Sequence, residues 1–190
     1  MSDKAEYEIV VAFLDKNQGF AFNNTLPWPY LPGDHKFFID LSTSRKDQSK
    51  KNGYIMGRVT WEAWPEDEKC NPNLFTVVTS STLKSDGVPH LQKVLPSLDD
   101  AITYITTPPV SDQLEKVWLM GGGRNYDASM DDPRLKRIWV TRIFGDFTAN
   151  VFFPKFQDKF KRVKCATLDE SLQEDNGVKY QFELWERFTN

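Results

Sequence analysis

Glu8-Ile9-Val10-Val11-Ala12-Phe13-Leu14 (EIVVAFL) is a nearly continuous apolar run. A strand with one face in water alternates apolar and polar side chains. A short run without alternation is what a strand buried on both faces requires. Residues 8–14 therefore read as a central strand of a sheet covered on both sides. Downstream, Gly53 to Gly57, Leu74 to Thr79 (LFTVVT), Lys116 to Met120 and Leu135 to Ile143 read as further strands. Helix signals lie between them. One helix runs from Asp34 to Thr43 after Pro32-Gly33, and another starts near Val59. Ser97-Leu98-Asp99-Asp100 offers a serine N-cap with acidic residues in the first turn, extending to Ile105 before Pro108-Pro109, and Arg124 to Met130 opens another. Strands alternating with helices require crossover connections, hence a mostly parallel sheet. Lys161 to Leu168 and Val178 to Arg187 alternate and are joined by a loop ending in Asn176-Gly177, which adds an antiparallel hairpin. The fold class is α/β with a mixed sheet. One domain across residues 1–190 is expected, since no repeat, low-complexity tract or composition break divides the chain.

Composition narrows the function. With 39% hydrophobic and 14% aromatic residues the chain has the means for a sizeable core. A formal net charge of −3 gives no general attraction to nucleic acid or anionic membrane, so a small polar ligand fits better. Cys70 and Cys165 lack the clustered spacing of a zinc site or a disulfide framework, and no early apolar run resembles a signal peptide. A reducing cytoplasm is the expected location. His35 and His90 are too few for a convincing metal site, and no metal is expected.

Three stretches carry possible chemistry. In TLPWPYLPGDHKFFIDLS (Thr25 to Ser42), Pro27 and Pro29 fix the backbone around Trp28, and Asp34 follows in the first helical turn beside Phe37, Phe38 and Leu41. A carboxylate so placed either caps its helix or binds something cationic or amidine-like. Asp15 to Thr25 is rich in Asn, Gly and Asp, and its Phe20 and Phe22 read as a loop that packs over a ligand, a candidate lid. Gly121-Gly122-Gly123 after a strand and before a helix is either a flexible turn or a junction whose free amides meet a pyrophosphate; its spacing is not that of the Rossmann fingerprint. Gly57-Arg58-Val59-Thr60 is a second strand-to-helix junction, with a hydroxyl and a guanidinium that suit phosphate or simply face water.

The pattern Leu26-Pro27-Trp28, then Asp34, Phe38 and Ser42 at their spacing, resembles the signature of dihydrofolate reductase. IMGRVTWEAWP (Ile55 to Pro65), WLMGGGRNY (Trp118 to Tyr126), WVTRI (Trp139 to Ile143) and VFFP (Val151 to Pro154) follow in the family's order over nearly the whole chain. The resemblance implies a central eight-stranded sheet with helices on both faces, and NADPH-dependent reduction of dihydrofolate by a monomer. It implies that Asp34 binds the pterin and promotes N5 protonation, with Thr141 hydrogen-bonding the carboxylate and Leu26 and Trp28 beside them. Val10, Val11, Leu31, His35, Phe38, Trp64, Pro65, Met120 and Tyr126 complete the implied substrate site. For the cofactor it implies Ala12, Gly19, Phe20, Gly57, Arg58, Val59, Thr60, Ser80, Ser81, Gly121, Gly122, Gly123, Arg124, Asn125 and Tyr126. Gly121-Gly122 would be a cis peptide, and Arg58, Ser80 and Ser81 would meet the 2′-phosphate. A reductase of another pterin or a pyrimidine, and a binding protein without turnover, stay open beside this reading.

The sequence also departs from the family. His35 stands where an apolar side chain is usual, Ala21 replaces a lid glycine, and Asn150-Val151 replaces an acidic-threonine pair. Val59 and Ser81 occupy positions where a second basic residue is frequent. The arginine expected just before the Leu74 strand, partner of the folate glutamate, is absent: Asn73 and Leu74 stand there, with Lys69 on what reads as an exposed loop.

Overall fold

In the computed structural model, residues 6–84 and 88–189 are described. Strand β1 (Tyr7–Leu14) is followed by β2 (Gly19–Ala21), α1 (Pro32–Thr43), β3 (Lys51–Gly57), α2 (Arg58–Ala63), α3 (Glu66–Lys69), β4 (Leu74–Thr79) and β5 (Lys93–Leu95). Then come α4 (Leu98–Ile105), a 3-10 turn at Ser111–Gln113, β6 (Leu114–Leu119), α5 (Gly123–Ser129), β7 (Leu135–Phe144), β8 (Val151–Phe152), β9 (Phe160–Val163), β10 (Gln173–Asp175) and β11 (Val178–Arg187). Eight strands stand in the order β10-β11-β7-β1-β6-β3-β4-β5, and β9 adds to β11 as a ninth. From β7 to β5 the pairing is parallel, whereas β11 runs antiparallel to β7. The mixed, mostly parallel sheet expected from the sequence is the observed one.

Alternation along β1 sorts the core into two faces. Ile9, Val11 and Phe13 pack with Ile102 and Ile105 of α4 and Met130 beyond α5. Val10 points the other way, to Tyr54, Met56, Trp118 and Met120, with Phe38 and Leu41 of α1 against them. Helices thus cover both faces, which is why EIVVAFL shows no polar alternation.

The helix starts follow from their capping residues. Ser97 Oγ accepts the Asp100 N–H at the head of α4, as its sequence implied. Ser97→Ala leaves that amide without its cap and is expected to lower stability by about 0.5–2 kcal/mol, measured by urea unfolding against wild type. In contrast, α1 has Leu31 as N-cap with no side-chain cap, and Pro32 in its first positions.

The structure corrects three local readings. The antiparallel hairpin at residues 173–187 is β10–β11, closed by Asn176 and Gly177 with φ of 49° and 76°. The strand in the 161–168 run ends at Val163, since Cys165 to Leu168 forms a turn with Leu168 N–H on Cys165 O. Acidic, turn-rich Glu66–Lys69 winds into α3 behind Pro65. The three-residue strand β5 was not anticipated, because one basic and two apolar residues carry too little pattern to distinguish it from coil.

Candidate active site

Asp34 is half-buried in the first turn of α1, and it is not the cap, since the N-cap position belongs to Leu31. A tight fit fixes the start of this helix. A Cβ on Gly33 would lie 2.2 Å from Tyr180 Oη, so only glycine lets α1 approach β11 this closely. The Gly33 N–H donates to Asp175 Oδ2 at 2.7 Å, and the Tyr180 hydroxyl donates to the same oxygen at 2.8 Å. Asn176 Nδ2 donates to the Tyr30 carbonyl at 2.8 Å. The β10–β11 hairpin therefore sets where Asp34 stands. Desolvation raises the Asp34 pKa, a hydrogen-bonding contribution from buried Thr141 and the nearby His35 oppose this, and the Asp175 charge adds to the rise. Such a carboxyl is held ready to take a proton.

Around it, β1 and β7 run side by side with Ala12 opposite Thr141 and Val10 opposite Trp139. Val10, Met56 and Met120 form an apolar floor with Phe38 and Trp64, whose rings meet edge-on at 5.8 Å. Trp28 and Leu31 are buried with Ala12 and Phe37 against β11. The Trp28 indole N–H is buried without a partner among the described residues, a donor free for a ligand or water. Val11 is placed differently from the expectation. Its side chain packs on the opposite face of the sheet, so only its backbone belongs to this side. Leu26 is 59% exposed at the surface. It directly follows a tight turn in which Phe22 and Thr25 exchange backbone hydrogen bonds across Asn23 and Asn24. Pro65 is likewise exposed, at the head of α3.

At the far end of the floor the tips of β3, β4 and β6 converge. The Gly57 N–H donates to Gly121 O at 2.8 Å, and Asn125 Nδ2 donates to Gly121 O and Thr79 Oγ1, each at 2.9 Å. Gly121-Gly122 is cis, as the resemblance implied. Gly121 has φ of 107°, and a Cβ there would lie 3.1 Å from the hydroxyl of buried Tyr126; one on Gly122 would lie 3.2 Å from Thr60 Oγ1. This bare backbone leaves room for a large anionic ligand. The α5 start has Gly122 as N-cap and no side-chain cap, while Arg124 is exposed and Asn125 and Tyr126 are buried. Phe20 meets Tyr126 edge-on at 5.4 Å, and Gly19 and Ala21 pair with Phe152 and Val151. Asn150 accepts the Asn23 N–H through Oδ1 at 3.1 Å and donates to its Oδ1 at 2.9 Å, tying the 15–25 loop down.

Arg58 and Val59 are exposed, and Arg58 is bridged to Glu62 at 2.8 Å. Ser80 and Ser81 line a shallow groove with Leu83, Lys84 and Leu95. Lys84 is a cation that the motif pattern missed, since it lies beyond the strand-end serines that drew attention. A polar link missed as well joins α1 to α3: His35 Nε2 lies 3.0 Å from Glu68 Oε1, and the Tyr30 hydroxyl is 3.1 Å from Nδ1.

A family model described as dihydrofolate reductase matches residues 8–187. The chain belongs to the dihydrofolate reductase family. It is 34% identical to the dihydrofolate reductase of Sus scrofa over 181 residues, 93% of this chain and 96% of that one. The Drosophila melanogaster dihydrofolate reductase is 28% identical over 95% of this chain and 97% of its own. The solved Schistosoma mansoni dihydrofolate reductase superposes with a TM-score of 0.82 at 30% identity, covering 96% of this chain and 98% of that one. Lys69 differs from the exposed-loop setting its sequence suggested. Its side chain is 11% exposed, 3.2 Å from Glu66 and 4.9 Å above the Trp61 ring, because Glu66–Lys69 is a helix that sets Lys69 over Trp61 of α2 rather than an open loop.

Proposed function

We propose that this chain reduces 7,8-dihydrofolate to 5,6,7,8-tetrahydrofolate, with hydride transfer to C6 and protonation at N5. Asp34 carries the reading. A pterin presents adjacent N–H donors, geometrically an amidine, and one carboxylate accepts both. Here that carboxylate stands half-buried above an apolar floor, with burial raising its pKa and Thr141 beside it. The ring of a pterin would lie against the floor of Val10, Met120 and Phe38, while Asp34 both orients it and favours the proton on N5. NADPH, when bound, supplies the hydride. The Gly121–Gly123 backbone, Gly57, Thr60, Asn125 and Tyr126 would hold it, with Ala12, Gly19 and Phe20 beside the nicotinamide half. Arg58, Ser80, Ser81 and Lys84 would meet the 2′-phosphate.

The reading takes the chain as a single domain acting as a monomer in the cytoplasm, without nucleic-acid or membrane partners. A net charge of −3 supports the absence of polyanion binding. Among the described residues no helix is long and apolar enough to cross a membrane. Loss of NADPH absorbance on adding dihydrofolate tests the function, and NADPH that stays unoxidised with dihydrofolate while another pterin consumes it overturns the substrate assignment.

Recognition of the glutamate tail is expected to be weak. A bidentate arginine–carboxylate contact is worth about 1.5–3 kcal/mol, roughly 10- to 150-fold in affinity. Asn73 supplies no charge, and the Lys69 ammonium already has Glu66 and Trp61 as partners. The kcat/KM for dihydrofolate is therefore expected to exceed that for a dihydropterin lacking the glutamate by less than about tenfold. A margin of about 100-fold that high salt leaves intact would identify another buried cation on the tail.

A further inference from the structure

Glu66, Cys70 and His90 bring a carboxylate oxygen, a thiol sulfur and an imidazole nitrogen within 4.8 Å of one another, all three residues exposed. Glu66 opens α3 and Cys70 is its C-cap, its N–H on Glu66 O, so the two side chains leave the same face one turn apart. His90 arrives from the segment before β5, and its Nε2 lies 3.4 Å from Cys70 Sγ. Tetrahedral zinc, with Zn–S of about 2.3 Å and Zn–N of about 2.0–2.1 Å, holds those two atoms about 3.5 Å apart. The pair therefore already stands at the separation a tetrahedral cation imposes.

We propose that Glu66, Cys70 and His90 form a surface site for a borderline-soft divalent cation of the zinc type, with water completing the coordination. The donor set of one sulfur, one imidazole nitrogen and one carboxylate oxygen matches zinc and excludes magnesium or calcium, which take oxygen ligands. A thiol–imidazole hydrogen bond alone would account for the Cys70–His90 contact, but it has no use for the carboxylate that converges on the same point. Among the described residues, Lys69 Nζ, 3.2 Å from Glu66 Oε2, is the one ammonium the cation has to compete with, and Trp61 keeps it in place when it loses that partner. The site is not catalytic; its effect is to fasten α3 to the segment preceding β5. The same short helix carries Glu68, the partner of His35 on α1. No spacing rule announces the site, because its ligands come from two separate segments rather than one cysteine–histidine motif.

Zinc titrated into the reduced full chain against a chromophoric chelator measures the affinity, and cobalt in its place reports the sulfur ligand through a thiolate-to-metal charge-transfer band. One equivalent of metal is expected. Cys70→Ser and His90→Ala are each expected to weaken binding by at least 10- to 100-fold, the loss known for removing a group that merely supports a ligand, and Cys70→Ser to abolish the cobalt band. Glu66→Gln weakens it less, and Cys165→Ser leaves it unchanged. No zinc uptake in competition with the chelator, uptake indifferent to Cys70→Ser and His90→Ala, or a cobalt band lost with Cys165 instead, overturns the proposal.

Discussion

Asp34→Asn is expected to lower turnover of dihydrofolate at neutral pH by roughly 10²–10⁴-fold, the range of acid–base contributions. The amide keeps the shape but not the charge that, in the proposed reading, holds the pterin amidine and favours a proton on N5. The deficit narrows at low pH, where substrate arrives already protonated. Stability should move the opposite way. Burial raises the Asp34 pKa in the folded protein, so the folded state binds that proton more tightly than the unfolded chain does. Stability from this group is then greatest below the ordinary carboxylate range and falls as pH rises through the raised value. At pH 7 the ionised carboxylate costs stability, and asparagine removes the cost. Melting curves of both proteins at pH 4 and pH 7 check the sign: the variant should melt higher at pH 7, with the gap closing toward acid. Wild-type turnover in the variant would remove Asp34 from its assigned role.

Gly121→Ala is expected to cost roughly 10²–10³-fold in NADPH affinity. With φ at 107° any L-residue is strained by about 1–3 kcal/mol, and the added methyl would meet Tyr126 Oη at 3.1 Å. Tyr126 cannot swing aside, since Phe20 and Phe153 pack on it at 5.4 Å and 4.9 Å. The backbone must shift instead, and each charge-assisted hydrogen bond it would make to the proposed pyrophosphate loses about 1.5–3 kcal/mol when misaimed. Gly177→Ala is the control for strain alone. Its φ is 76° with nothing within 4 Å of the added Cβ, so it should lower the melting temperature yet leave NADPH affinity unchanged. Equal NADPH binding in Gly121→Ala and wild type would separate this junction from the cofactor.

What the sequence made legible was whatever a local pattern dictates. LFTVVT has the bounds of β4 because Asn71-Pro72-Asn73 and Ser80-Ser81 bracket a continuous β run. The Asn176-Gly177 turn placed the start of β11, though not the partner strand before it, because that dipeptide accepts two positive φ angles in succession. Asp34 and the triple glycine stood out in local patterns that left two roles open for each, whereas Thr141 came from motif resemblance alone; the fold sets Thr141 on β7 and the glycines just past β6, beside the elements that carry their neighbours. Partnerships across the fold were not legible. Nothing near Asp175 indicates that its carboxylate holds the Gly33 N–H, a distance of 142 positions along the chain. Glu68 in its acidic run reads as solvated until α3 brings it to His35. Val11 went to the wrong face for a side-chain role because resemblance aligns positions, whereas the pleat decides which way each one points.

The strand order has a consequence for the chain as it is made. Ile9 pairs with Leu119 and Val10 with Trp139, so β1, the most apolar strand and the middle of the sheet, has both of its lateral neighbours far downstream. During synthesis its two hydrogen-bonding edges wait while well over half the polypeptide is added, and β7 in turn waits for β11. β3–β4, β4–β5 and β10–β11 pair neighbours in sequence, but the centre of the sheet does not, which makes folding slow compared with helical proteins of similar size and leaves its central pairings until late in translation. The hazard falls on EIVVAFL: the segment that becomes the best-protected part of the sheet is, in the nascent protein, an unpaired β-prone edge and the natural place for a holding chaperone to bind.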